Sequence, residues 1–142
     1  MDKRKLNNYI KNNINCLLKM AYASNGGFLI TNTYSIVYLK CNYQLPIETD
    51  AKKGYYQSIT SFYKNFTENF ASVSKFTPNE DGDITPLYDG NFAIDNKQYQ
   101  NIKNLIKGNN AEILQDNDFN YVLKIENTKT GENAFLLPCK VY

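Results

Sequence analysis

Hydrophobic periodicity switches between helical and strand-like along this chain of 142 residues, and that switching constrains the fold more than any single motif. Leu6, Ile10, Ile14, Leu17, Leu18 and Ala21 recur at helical spacing and predict one amphipathic helix over residues 3–23. Gly26-Gly27 then stops it. Residues 28–33 and 34–43 are rich in aromatic and β-branched side chains and read as strands. In the second of them Tyr34, Ile36 and Tyr38 alternate with Val37, Leu39 and Cys41, which predicts cover on both faces.

The same order returns near the other end. Phe92-Ala93-Ile94 reads as a short strand, and Asp95 with Gln98 three residues on has the spacing of a capping box. Tyr99, Ile102, Leu105 and Ile106 give the following helix its stripe, and Gly108 ends it. A strand over residues 111–115 and a hairpin of residues 119–126 with 133–141 complete the pattern. Between the two repeats the reading stays open. Ile59, Phe62, Tyr63, Phe66, Phe70 and Val73 match a second amphipathic helix, but interleaved Ser and Thr also permit a path containing strand. Residues 77–90 hold Pro78, Gly82, Pro86 and Gly90 and read as loop. The acidic run 79–83 within it fails the spacing of a calcium loop, since Tyr88 stands where a bidentate Glu is required. The expectation is a single α+β domain spanning 1–142, with two helices packed on antiparallel sheet.

Composition limits the chemistry. The chain has no histidine, which removes Ser–His and Cys–His nucleophile pairs, imidazole metal sites and the usual general base. No phosphate-binding glycine loop is present. The carboxylates lack metal-ligand spacing, so no catalytic residue, metal or cofactor is expected; an enzyme working by carboxylates alone remains a minor alternative. Cys16, Cys41 and Cys139 form no CxxC and read as buried reduced thiols. The basic start is followed by asparagines where a signal peptide needs an apolar run, and the stretch 134–139 is too short to span a bilayer. A soluble, cytoplasmic protein without membrane contact is expected.

Charge is distributed unevenly. Net charge is only +2, yet the two expected helices, residues 3–23 and 96–107, carry eight basic residues and no acid. Everything else therefore nets −6, because it holds all fourteen acids. Opposite the apolar stripes lie Arg4, Lys11 and Lys19 on the first helix and Lys97, Lys103 and Lys107 on the second, among asparagines and glutamines. Faces made only of cations and amides suit phosphate contacts without base reading. The alternative is a solvated face in an Asn- and Lys-biased chain, which has 21 asparagines.

The stretch Leu6–Ala23 followed by Gly27-Phe28-Leu29-Ile30-Thr31 and Ile36-Val37-Tyr38-Leu39 resembles the first helix and hairpin of a domain of the DNA sliding clamps, the bacterial β-clamp type. Phe92-Ala93-Ile94-Asp95 leading into the second helix resembles that family's second strand–helix step. The ending Ala134-Phe135-Leu136-Leu137-Pro138-Cys139-Lys140-Val141 resembles its C-terminal strand. The resemblance implies a clamp-domain-like repeat of helix plus strands, with the helices facing double-stranded DNA without sequence preference. It also implies a protein partner bound at the C-terminal strand, where Leu137, Pro138, Cys139 and Val141 would border an apolar groove. A clamp chain carries three such domains and this one carries one, so a ring implies a homo-oligomer. The expected function is a non-enzymatic accessory protein of a phage or mobile element. The rival is a protein-binding module or inhibitor of a host factor that makes no DNA contact, using Tyr-rich surface.

Overall fold

The computed structural model describes residues 3–13, 19–22, 26–32, 34–40, 53–87 and 90–141. In chain order these form α1 (Lys3–Asn12), β1 (Lys19–Tyr22), β2 (Phe28–Thr31), β3 (Ser35–Leu39), α2 (Lys53–Asn69), β4 (Ala71–Lys75) and β5 (Ile84–Pro86). There follow β6 (Phe92–Asp95), α3 (Asn96–Ile106), β7 (Asn110–Gln115), β8 (Tyr121–Glu126), β9 (Asn133–Leu136) and β10 (Cys139–Lys140). The fold is α+β. Seven strands form an antiparallel sheet in the order β1-β2-β3-β9-β8-β7-β4, and three form a smaller one in the order β10-β6-β5.

The order of the main sheet reflects the repeated sequence pattern. α1 precedes β1-β2-β3, α3 precedes β7-β8-β9, and the two triplets meet where β3 pairs with β9 from Ser35↔Leu136 to Tyr38↔Asn133. Strand alternation then sorts the core in two. Phe28, Ile30, Val37, Leu123 and Leu136 point to the side of α1, α3 and the small sheet, where Leu6, Ile102, Ile106 and Ile94 close over them. Leu29, Ile36, Tyr38, Val122 and Phe135 point the other way, under Ile59 and Phe66 of α2. All five residues of β3 are buried, as its alternation predicts.

Several expectations are corrected. The first helix ends at Asn12, not near residue 23. Asn13 turns its side chain back, with Nδ2 donating to the Tyr9 carbonyl at 2.8 Å and Oδ1 accepting from Asn32 Nδ2 at 2.8 Å. An asparagine that satisfies its amide this way competes with continued helix. Ile14, Leu17 and Leu18 lie outside the described residues, while Lys19 and Ala21 belong to β1. A short apolar run has no unique period, and the open edge of β2 decides the matter by placing Met20 opposite Ile30. Gly26-Gly27 therefore lies between β1 and β2 rather than ending a helix. Both glycines have positive φ, 87° and 81°, and a Cβ on Gly27 would strike the Leu39 carbonyl oxygen.

The open stretch resolves as α2 followed by strand. Ile59, Tyr63 and Phe66 pack inward as the stripe predicts, but Val73 falls in β4 and is exposed. β5 crosses what reads as loop, and the acidic residues 80–83 are an exposed turn. The N-cap half of the expected capping box forms, with Asp95 Oδ1 accepting from the backbone N–H of Lys97 and Gln98 at 2.9 and 3.0 Å. It ends one residue before the expected glycine. Lys107 takes the left-handed conformation at φ 52°, and Gly108 is needed instead for closeness, since a Cβ there would lie 2.8 Å from Ile125 Cγ2.

The C-terminal strand is split. β9 ends at Leu136 in the middle of the main sheet, and Leu137 N–H bonds to the Tyr34 carbonyl at 2.8 Å. Pro138 has no N–H to continue the ladder, and the chain leaves to pair Cys139 with Ala93 and Lys140 with Phe92 in the small sheet.

Candidate nucleic-acid interface

α1 and α3 pack side by side over one face of the main sheet, and Lys5 Nζ bonds to the Asn104 carbonyl at 3.2 Å between them. Their inward positions are apolar: Leu6 and Tyr9 from α1, with Tyr99, Ile102, Leu105 and Ile106 from α3. Helical geometry therefore turns the cations and amides outward. Arg4 and Lys11 of α1 are exposed, as are Lys97 of α3 and its cap Lys107, while Lys103 is half-buried. The seam between the helices is a shallow cleft of about 210 Å³ edged by Lys5, Asn8, Asn12, Asn101 and Asn104. Amide and ammonium donors dominate that seam.

Five of the six expected DNA-facing residues thus belong to this helix pair: Arg4, Lys11, Lys97, Lys103 and Lys107. Lys19 does not. It stands in β1, at the edge of the main sheet, and leaves the set because the first helix is shorter than its periodicity suggests. Among the described residues, none of Lys11, Lys97, Lys103 and Lys107 pairs with a carboxylate. The ion pairs Lys64–Glu68, Lys75–Glu112 and Lys124–Glu126 all lie elsewhere. Among the described residues, an acidic turn borders the face at the start of α3. Asn96 ties the exposed turn 80–83 to the start of α3 through its N–H to the Asp83 carbonyl and its Nδ2 to the Gly82 carbonyl. Those carboxylates favour the positive end of the helix dipole and dilute the field around Lys97.

The expected partner residues at the C-terminus separate. Leu137, 41% exposed, and Pro138 line a groove of about 570 Å³ at one end of the main sheet. Cys139 and Val141 do not line it; they follow the chain to the edge of the small sheet, where Val141 N–H bonds to the Asn91 carbonyl. Cys139 is an exposed free thiol, which corrects the expectation of burial, while Cys16 and Cys41 lie outside the described residues.

Sequence reasoning missed the groove's main features. Phe62 of α2 and Phe119 of the β7–β8 turn border it and are 60% and 75% exposed. Phe62 shares its stripe with Ile59 and Phe66, so spacing alone reads it as core. Phe119 holds φ at 61°, a left-handed conformation that few large side chains adopt. The turn around it is firmly tied. Asp116 accepts from the Asn120 amide at 2.9 Å and from the backbone N–H of Asn120 and Asp118 at 2.8 and 2.9 Å. The Asn120 side chain, with these N–H groups, holds the Asp116 carboxyl below its ordinary range. Under α2, burial pushes the Tyr63 hydroxyl up to about 12 despite its 2.6 Å bond to Asn133.

Among the described residues no three His, Cys, Asp or Glu side chains gather as a metal site, and no helix is long and apolar enough to cross a membrane. Comparison with protein-family models, with curated proteins and with solved structures yields no match to this chain.

Proposed function

We propose that this protein is a non-enzymatic, cytoplasmic accessory factor of clamp-like organisation that lays the α1–α3 face on duplex DNA without reading sequence. The observation that carries the reading is the pairing of two acid-free helices whose Lys11, Lys97, Lys103 and Lys107 pair with no carboxylate among the described residues. Such a surface binds phosphate through counterion release, so association is weak, indifferent to sequence and strongly dependent on salt. A ring of several copies would hold circular DNA and slide off linear duplex. A partner protein would be recruited at the Leu137–Pro138 end of the molecule, and the setting would be the replication or repair machinery of a phage or other mobile element.

The test is retention on circular or end-blocked DNA across a salt series, with mass in solution measured in parallel. Each phosphate-contacting lysine removed lowers the magnitude of the log–log salt slope by about 1. The quadruple variant Lys11→Glu, Lys97→Glu, Lys103→Glu and Lys107→Glu should stay folded and lose DNA. Wild-type protein that is not retained even at low salt refutes the DNA reading. The second reading, a protein-binding module without DNA contact, is favoured by the apolar groove beneath Phe62 and Phe119.

A further inference from the structure

We propose that the groove between α2 and the β7–β8 turn binds a peptide segment of a partner protein, seating bulky apolar side chains against Phe62 and Phe119 and a lysine or arginine beside Asp116. The inference deepens the partner half of the proposed function and stands independently of the DNA half.

Three observations carry it. The first is size and lining. About 570 Å³ lies within the range of ligand sites, and the walls are built largely from aromatic rings, Phe66 and Phe135 among them. The second is exposure under constraint. Phe62 and Phe119 stand at the mouth with most of their surface in water, where a soluble chain gains nothing from them. The turn that presents Phe119 holds a left-handed backbone that glycine or asparagine would adopt more cheaply. Asp116 locks that turn from three sides, so the ring is presented by a rigid element rather than a loose one. Backbone held in a sparsely populated conformation clusters at ligand-binding sites.

The third is charge complementarity, and it selects the occupant. Asp116 is the one charged side chain among the described residues lining the groove. Nucleic acid and fatty acids would bring a negative charge against it, whereas an apolar segment flanked by a cation would meet it favourably. Hydrogen bonds for a peptide backbone are also at hand. Asn65 uses its Oδ1 for Asn69 and keeps Nδ2 to donate, while Asn120 uses Nδ2 for Asp116 and keeps Oδ1 to accept. A short peptide carries both the donor and the acceptor these amides lack.

The probes are fluorescein-labelled peptides with the core Leu-Phe-Leu-Phe, flanked by lysines, serines or glutamates and read by anisotropy. The lysine-flanked peptide should bind with a Kd of about 10–100 µM, and the glutamate-flanked one at least about tenfold more weakly. Phe62→Ser and Phe119→Ser should each weaken binding about tenfold, since an exposed anchor contributes affinity rather than fold. Phe119→Gly keeps the turn, should raise Tm, and should still lose binding, which separates a docking residue from a structural one. The quadruple Lys→Glu variant should bind the lysine-flanked peptide as wild type does, so failure of the DNA reading leaves this result intact. Equal affinity for lysine- and glutamate-flanked peptides overturns the proposal, as does binding that survives both serine substitutions. Displacement of the peptide by dodecanoate with higher affinity would assign the groove to an acyl ligand instead. Self-association abolished by Phe119→Ser would assign it to a second copy of this chain.

Discussion

The two faces of the seven-stranded sheet solve the same covering problem with different resources. On one side α1, α3 and the small sheet close a core that runs from Phe28 on β2 to Ile125 on β8. On the other, among the described residues, α2 is the one covering element. Seven strands spaced about 4.8 Å apart span about 29 Å, whereas a helix is about 10 Å across, so one helix covers only part of the width. The remainder of that face divides by chemistry. Towards β4 it is polar, with Lys75 and Lys124 bridging Glu112 and Glu126 at 3.6 Å each. At the end beside β9 it remains apolar and open, and the groove is the result. The face under α1, α3 and the small sheet turns charge outward; the face under α2 leaves aromatic surface for something else to cover.

Truncation on each side compares the two layers most directly. Phe135→Ala removes a ring stacked on Phe66 at 5.2 Å and edge-on to Tyr63 at 5.7 Å, and should cost about 3–5 kcal/mol in urea unfolding. Ile102→Ala, fully buried on the opposite side, should cost about 2–5 kcal/mol. A loss under about 1 kcal/mol for Phe135→Ala alone would mean that α2 is only loosely laid on its face and the comparison fails.

Gly27 tests the sheet that both faces share. Its positive φ and the approach of the Leu39 carbonyl oxygen leave no place for a Cβ, so Gly27→Ala should destabilise by about 2–3 kcal/mol. Equal stability would show that the β1–β2 connection can relax. A smaller effect is expected on the α3 side, where Asp95→Ala removes two hydrogen bonds to backbone N–H groups and should cost about 1 kcal/mol. Asp95→Asn, which keeps the acceptor, should recover most of it.

The finest discrimination is by pH. Tyr63 is neutral in the fold up to about 12 against an ordinary value of 10, with burial as the leading cause. A raised acid contributes stability that is fully present below the unfolded value and is lost as pH rises through the folded one. Tm of the wild type should therefore fall between pH 10 and about 12 more steeply than Tm of Tyr63→Phe. Parallel curves would place the Tyr63 hydroxyl in water.

Much of this fold is legible in the sequence because it is local. The alternation of β3, the cap at Asp95 and the β8–β9 hairpin each depend on residues a few positions apart. The charge contrast between the helices and the rest is likewise a property of the chain alone, and α1 and α3 carry no acid in any tertiary arrangement. What the sequence leaves undecided depends on distant partners. Lys19 reads as helical until β2 offers Met20 a neighbour in Ile30. The C-terminal run reads as one strand, but Pro138 lets it serve two sheets only because β6 lies within reach of Cys139. Phe62 obeys the same spacing as Ile59 and Phe66, yet it reaches past the cover they find. Periodicity states which side chains share a face, and only the finite width of the opposing layer decides which of them are left in water.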